Sequence, residues 1–445
     1  MLLIASLFFY MCWRWQYIFL LFFPATIDFF VARKLEKTEE QRKKKMLLLL
    51  SIVTNLGLLF YFKYFNFFIE SINTGAVLFN SSLFLDYAKI VLPVGISFYT
   101  FQSISYTVEV YRGHIPAERH FGKFALFVSF FPQLVAGPIN RPQILLPQVN
   151  NLKPLLASNF VLGGRRILWG LFKKVVVADR LAFFANLVYN SPENYHGWSV
   201  IIATVFFAFQ IYCDFSGYSD IAIGVAKMMG VDLVKNFNKP YFAKSVKEFW
   251  DKWHISLSTW FRDYLYIPLG GNKVTTSRWI FNLFITFLVS GIWHGASFNF
   301  VIWGAIHGLI ISLESLNKKK KFFTFQLPSI ISTLWTFSLV CFAWIFFRAN
   351  TVHDSFTIIR NMFDFSHSVV AEVKQSTGAN IYNFAVGFPL IILLLVFEKF
   401  WGYQKVQYYF HTYQSVRFGC YITLILLLAF FGVFVSQSSF IYFQF

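Results

Sequence analysis

The sequence predicts an all-α polytopic membrane protein, a bundle of roughly ten to eleven spans and re-entrant helices. Three observations carry this. Hydrophobic residues fill 57% of the 445 positions and charged ones only 13%, whereas a soluble domain is about 25% charged. The mean hydropathy is +0.55, and the apolar residues fall in continuous runs, not in the alternating segments of a membrane barrel. The net charge of +18 gathers in loops between those runs, the arrangement that keeps basic loops on the cytoplasmic side. The lipid bilayer is therefore the expected partner of this surface, and no nucleic-acid partner is expected. No fixed-period repeat or low-complexity tract interrupts the chain. It reads as one integral-membrane domain over residues 1–445, with its polar constellation concentrated at about 210–310.

Each element follows from its run. Residues 2–12 and 16–32 are two apolar stretches, and the first is short for the roughly 20 residues that cross a bilayer. No basic start or small-residue cleavage site marks residues 1–10 as a cleavable signal. Residues 33–45 hold seven basic and three acidic side chains and read as a cytoplasmic loop. An uncharged run continues from 46 to about 69. The run 91–110 is broken by Pro93 and Gly95. FFPQLVAGPINRP (130–142) packs prolines and a glycine too closely for a continuous helix, so it predicts a helix broken where protein or water surrounds it. Residues 198–213 form an uncharged span that runs into Asp214 and Asp220. Residues 248–266 repeat Trp250, Trp253, Leu257, Phe261 and Tyr264 at steps of three and four. That spacing predicts one amphipathic or re-entrant helix with His254 on its aromatic face and Asp251, Lys252, Arg262 and Asp263 at its edges. Residues 279–313 are too long for one straight span, and Ser290-Gly291 and Gly295 allow a bend. Residues 318–321 are four lysines, expected in the cytoplasm. The last spans are expected at 326–347, 379–397 and 419–445.

The chemistry sits in the charge-free run 279–313, which holds His294 and His307. An ionisable residue at membrane depth is expensive and marks function by default. A core histidine bonded to a neighbouring helix is the other reading of His294. No G-x-S-x-G, Walker A, H-E-x-x-H or G-x-G-x-x-G pattern is present. The spacing of His254, His294, His307, Asp214 and Asp220 is not that of a metal motif, so no metal is expected. The four cysteines each lie in an apolar segment, without a C-x-x-C pair, and read as small buried hydrophobes. A buried imidazole favours its neutral form, and a neutral imidazole can take the proton of a hydroxyl as that oxygen attacks an activated acyl group. His294 is the candidate base and His254 the candidate second polar group. Asp214 and Asp220 either end a span at the headgroups or hold a cationic or histidine partner inside the bundle. Arg165, Arg166, Lys173 and Lys174 form a basic surface that serves topology or docks the phosphates of a donor.

Three stretches in order, DFSGYSD (214–220), FWDKWHISLSTWFRDYLYIPLGGN (249–272) and GIWHGASFNFVIWGAIHG (291–308), resemble the membrane-bound O-acyltransferase family, and most of all its bacterial alginate O-acetylation branch. FFPQLVAGPINRP and the terminal FIYFQF (440–445) fit the same branch. The resemblance implies a helical fold around a tunnel joining the two membrane faces, with His294 as the catalytic histidine and His254 as the second active-site position. It implies transfer of an acetyl group from a cytoplasmic thioester, acetyl-CoA, with no permanently bound cofactor. It also implies delivery to an extracytoplasmic polysaccharide, often through a separate esterase-like acetyltransferase partner. The place would be the cytoplasmic (inner) membrane of a bacterium. D-alanyl transfer to teichoic acid and peptidoglycan O-acetylation are the neighbouring activities, and a multi-span transporter is the reading from another class. Members of the branch commonly carry a further apolar segment before LLIASLFFYMCWRW; this sequence starts at that stretch, a departure that bears on the N-terminal topology and not on the catalytic region.

Overall fold

The computed structural model describes residues 1–79, 82–321, 327–377, 381–401 and 404–434. Among the described residues every regular element is helical. Six helices among the described residues are long and apolar enough to cross a membrane: Gln41–Leu78, Trp198–Met228, Phe298–Lys320, Ser329–Arg348, Ile381–Trp401 and Gln414–Phe431. Leu2–Arg14 is apolar but shorter. FIYFQF and most of the expected last span beyond Phe431 lie outside the described residues. The chain divides into two compact units, Met1–Gly164 with Ala222–Val234, and Arg165–Ile221 with Lys235–Phe445.

In the first unit the expected loop at 33–45 is almost all helix. Helices Tyr17–Lys37 and Gln41–Leu59 leave only Thr38 to Glu40 between them. Lys, Arg, Glu and Gln are good helix formers, so charge marks the membrane boundary without ending the helix. The two helices share a buried polar contact, in which Asp28 accepts from Ser51 at 2.5 Å and from Asn55 at 2.8 Å. The proline-rich break is present as expected. Helices Phe121–Ser129, Phe131–Leu134 and Pro142–Asn150 replace one span. Side chains serve the freed backbone: Gln133 donates to the Phe127 carbonyl, and Asn140 donates to Gln133 and to the Pro138 carbonyl. This is the condition under which such a break survives away from water.

In the second unit the run 279–313 folds as a hairpin. Helix Thr276–His294 ends at Gly295, and helix Phe298–Lys320 starts after Ser297, whose side chain accepts from the Asn299 amide. Two glycines bring the helices together: a Cβ on Gly291 would lie 2.3 Å from the Phe300 carbonyl oxygen, and one on Gly304 2.6 Å from that of Phe287. Small residues at such crossings let backbones approach and gain dispersion contacts where lipid removes the hydrophobic drive. Trp303 of this hairpin is fully buried in the core together with Trp253 and Trp344.

Candidate active site

The predicted helix over 248–266 is not continuous. It is two short helices, Val246–Lys252 and Ile255–Phe261, followed by a wide π turn at Arg262–Tyr266. His254 stands at the break with φ 41° and ψ 52°, a left-handed conformation that costs a side-chain-bearing residue about 1–3 kcal/mol. The surroundings over-determine it. The Asn236 carbonyl accepts from the Ile255 amide at 2.9 Å, and its side-chain oxygen accepts from Ser256 Oγ at 2.6 Å. The His254 carbonyl accepts from the amides of Leu257 and Ser258, both at 3.0 Å. Ser258 Oγ donates to the Trp253 carbonyl. Glu314 fixes the start of the first short helix by accepting from the amides of Val246 and Lys247. The three-and-four spacing is real, but it runs through two helices and a forced turn. His254 is thereby turned inward, fully buried, with its ring edge-on to Phe215 at 4.6 Å.

His294 is the last residue of its helix and is buried. Its ring is edge-on to Trp293 at 5.0 Å, Trp303 at 5.0 Å and Phe347 at 5.3 Å. Trp293 also meets His254, with centroids 6.5 Å apart, so one indole stands against both predicted histidines. Trp303 does the same for His294 and His307, whose centroid is 4.9 Å from it. Trp250 donates its indole N–H to His307 Nδ1 at 3.2 Å. A neutral His307 therefore carries its proton on Nε2. The structure brings the three histidines into one aromatic nest.

A polar stripe leads to this nest. Asn282, Thr286, Ser290 and His294 recur every four residues and are the buried polar side chains of their helix, so they share one face. Asn282 donates to the carbonyls of Leu269 and Gly271 and so holds the PLGGN turn. Thr286 and Ser290 line a cavity of about 470 Å³ together with Trp250, Phe261 and Phe287. Lys247, Asp251, Arg262 and Asn272 complete its polar side. Arg262 pairs with Asp263 at 2.7 Å, and Lys247 with Asp251 at 2.7 Å. Sequence reasoning missed the stripe because Thr and Ser are unremarkable inside an apolar run. Their four-residue spacing behind a histidine was the available signal.

The predicted basic surface is mostly committed to acids. Lys173 pairs with Asp220 at 2.6 Å and donates to Ser216 at 2.9 Å. Arg166 meets the same Asp220 at 2.9 Å. Lys174 bridges Asp214 at 2.6 Å and Asp179 at 2.8 Å. Arg165 lies apart, over the rings of Phe410 and Tyr421. The DFSGYSD motif is the other half of this lock. A Cβ on Gly217 would lie 2.8 Å from the Gly170 carbonyl oxygen, and that close crossing lets the lysines reach the acids. Asp214 and Asp220 thus take internal cationic partners, the second of their two expected roles. Next to Asp214, Phe215 carries the motif on to His254.

All of these elements except the far C-terminal rings fall within residues 112–353. A profile of the membrane-bound O-acyltransferase family matches residues 112–353. The chain belongs to this family. It is a multi-pass membrane protein and an O-acyltransferase. It is 39% identical to a probable alginate O-acetylase of Pseudomonas aeruginosa, over 90% of this chain and 75% of that protein. It is 33% identical to the peptidoglycan O-acetyltransferase of Helicobacter pylori, over 100% of this chain and 91% of that one. A teichoic acid D-alanyltransferase of Bacillus subtilis is 30% identical over 58% of this chain. The matched O-acyltransferase region contains His254, His294 and His307 together with the basic–acidic lock.

Proposed function

We propose that this O-acyltransferase takes an acetyl group from a cytoplasmic thioester donor, acetyl-CoA, and passes it across a bacterial inner membrane for O-acetylation of an extracytoplasmic, alginate-like polysaccharide. The observation that carries the reading is the stripe from the cavity to His294. Thr286 and His294 are eight residues apart on one helix face, about 12 Å at 1.5 Å per residue. The cavity takes the donor's acyl arm, and the stripe guides it to the base. Basic loops favour the cytoplasmic side, and Lys318–Lys320 end the helix that packs beside this stripe. On that orientation the donor enters at the Lys247 and Arg262 side. These two cations line the cavity and, though each is paired with an acid, remain exposed, whereas Arg166, Lys173 and Lys174 are more buried in their ion pairs.

In this scheme neutral His294 removes the proton from an acceptor hydroxyl as its oxygen attacks the acetyl carbonyl carbon. The carbon–sulfur bond then breaks, and the imidazolium returns the proton to the departing thiolate. The products are an acetyl ester and the free thiol. General-base help of this kind contributes about 10²–10⁴-fold. His254 and the Nε2–H of His307 are assigned the role of steadying the carbonyl. The acceptor hydroxyl belongs to the polysaccharide or to a separate esterase-like partner that completes the transfer.

The experiment is to reconstitute the full chain in vesicles with labelled acetyl-CoA at its cytoplasmic face. Alginate and peptidoglycan fragments are then supplied outside, each with and without candidate partner enzymes. Label on alginate supports the reading. Label on peptidoglycan alone replaces the acceptor, and an absence of acetyl transfer under every pairing rejects the donor.

A further inference from the structure

At the opposite end of the second unit from Lys318–Lys320, three side chains with metal-binding atoms converge. His196 stands before helix Trp198–Met228, His367 follows helix Val352–Asn361, and Glu372 lies in the first turn of helix Val369–Thr377. Their ligand atoms all lie within 4.8 Å of one another. His196 Nδ1 is 3.2 Å from Glu372 Oε1, and the two imidazoles stack with centroids 4.0 Å apart and planes at 18°.

The backbone holds these segments together independently of the cluster. The Gly197 amide donates to the Asn361 carbonyl at 2.8 Å, and Asn361 Nδ2 donates to the Pro192 carbonyl at 2.9 Å. Gly197, at φ +49°, lets the Asp364 carbonyl approach so closely that a Cβ would meet it at 2.7 Å. The cluster also has an outer support. Ser366 Oγ donates to Asp364 Oδ1 at 2.5 Å and lies 3.0 Å from His367 Nδ1. A proton held on Nδ1 by Ser366 leaves Nε2 of His367 as the unprotonated ligand atom. Metal-bound histidines are oriented in this way by their second nitrogen.

We propose that His196, His367 and Glu372 form a binding site for one divalent transition-metal ion, zinc by its ligand set. Two imidazoles and one carboxylate are a recurrent zinc donor set that leaves a fourth position open to water or to an outside carboxylate. Ligand atoms around one tetrahedral zinc stand about 3.4 Å apart, given bonds of about 2.0–2.2 Å. The His196–Glu372 pair is already at that spacing. The widest pair, within 4.8 Å, needs to close by up to about 1.4 Å, which a rotamer adjustment of the half-exposed His367 supplies. The ion would clamp the start of helix Trp198–Met228 to the segment after Asn361. The positive-inside orientation puts this clamp on the extracytoplasmic face.

The site is tested on the full chain in detergent, with its purification tag removed and the protein stripped with chelator. The expected result is one tightly held Zn²⁺ per chain, and a Co²⁺ form with the intense visible absorption of a four-coordinate site. X-ray absorption at the zinc edge of the wild-type protein should show two imidazole ligands, a readout that depends on no variant. His196→Ala and Glu372→Gln should abolish stoichiometric binding, and Asp364→Asn should weaken it about 10–100-fold. Substoichiometric binding to wild type, a zinc edge without imidazole, or unchanged affinity in a His196→Ala/His367→Ala protein that elutes as the wild type does would each overturn the assignment.

Discussion

Trp250 donates its indole N–H to Nδ1 of His307 across 3.2 Å, and both side chains are buried. The bond joins the short helix before His254 to the helix that carries Trp303. It also sets which nitrogen of His307 holds the proton. Trp250→Phe keeps an aromatic ring and removes the donor, leaving a buried acceptor unsatisfied at a cost of about 1–3 kcal/mol. His307→Leu removes the acceptor. The double variant should be more stable than the sum of the two predicts, by about 0.5–1.5 kcal/mol in a thermal-unfolding cycle. Strict additivity would show that the bond carries nothing.

Gly295 has an extended backbone, φ −163° and ψ 157°, which any residue adopts. Space alone requires glycine there, because a Cβ would lie 2.0 Å from Phe300 Cε2. Gly295→Ala should therefore destabilise the hairpin by about 1–3 kcal/mol through overpacking and displace the neighbouring His294, lowering acyl transfer. Phe300→Leu in the same chain should restore part of both. A second-site change that restores neither measurement would place the role of Gly295 elsewhere.

His254 separates backbone from side chain. Glycine tolerates the left-handed conformation, so His254→Gly should be more stable than His254→Ala by about 1–2 kcal/mol. Both should lose transfer activity to the same extent, since both lack the imidazole. If the more stable glycine variant recovers activity, the ring has only a structural part.

Lys173 is almost fully buried and takes Asp220 as its contact countercharge, with Glu398 acting on it from farther off. Asp220→Asn leaves that ammonium and Arg166 without the charge they share. Breaking a buried pair in this way costs about 3–5 kcal/mol. The expected outcome is a large drop in the thermal midpoint and in the yield of monodisperse protein, with Asp220→Glu intermediate. A neutral effect would mean that the lysine reaches water.

Much of this fold was legible, for reasons visible in single residues. The break at Gly295 showed as a glycine in an overlong run, and the break at 130–142 as crowded prolines. The break at His254 did not show, because histidine is no punctuation mark and the force that bends the chain is Asn236, distant in sequence. Apolar periodicity survived the break and imitated one helix. The helical course of 33–45 was hidden by its charge, which reports side of membrane and not backbone shape. At the candidate site His294 stood out by its cost in an apolar run, and His254 by its place on the aromatic face of a helical repeat. The basic residues 165–174 were readable as a cluster but not as partners of Asp214 and Asp220, a pairing made by a glycine crossing. His196, His367 and Glu372 gave no signal, since two segments far apart in sequence, one before Trp198 and one after Asn361, bring them together.

The central claim is that His294 is the base for acyl transfer. It is tested most directly by comparing wild type and His294→Ala, in equal amounts and with equal thermal midpoints, for transfer of label from acetyl-CoA to the acceptor. The expected rate in the variant is lower by about 10²–10⁴-fold. A rate within a few-fold of wild type would contradict it.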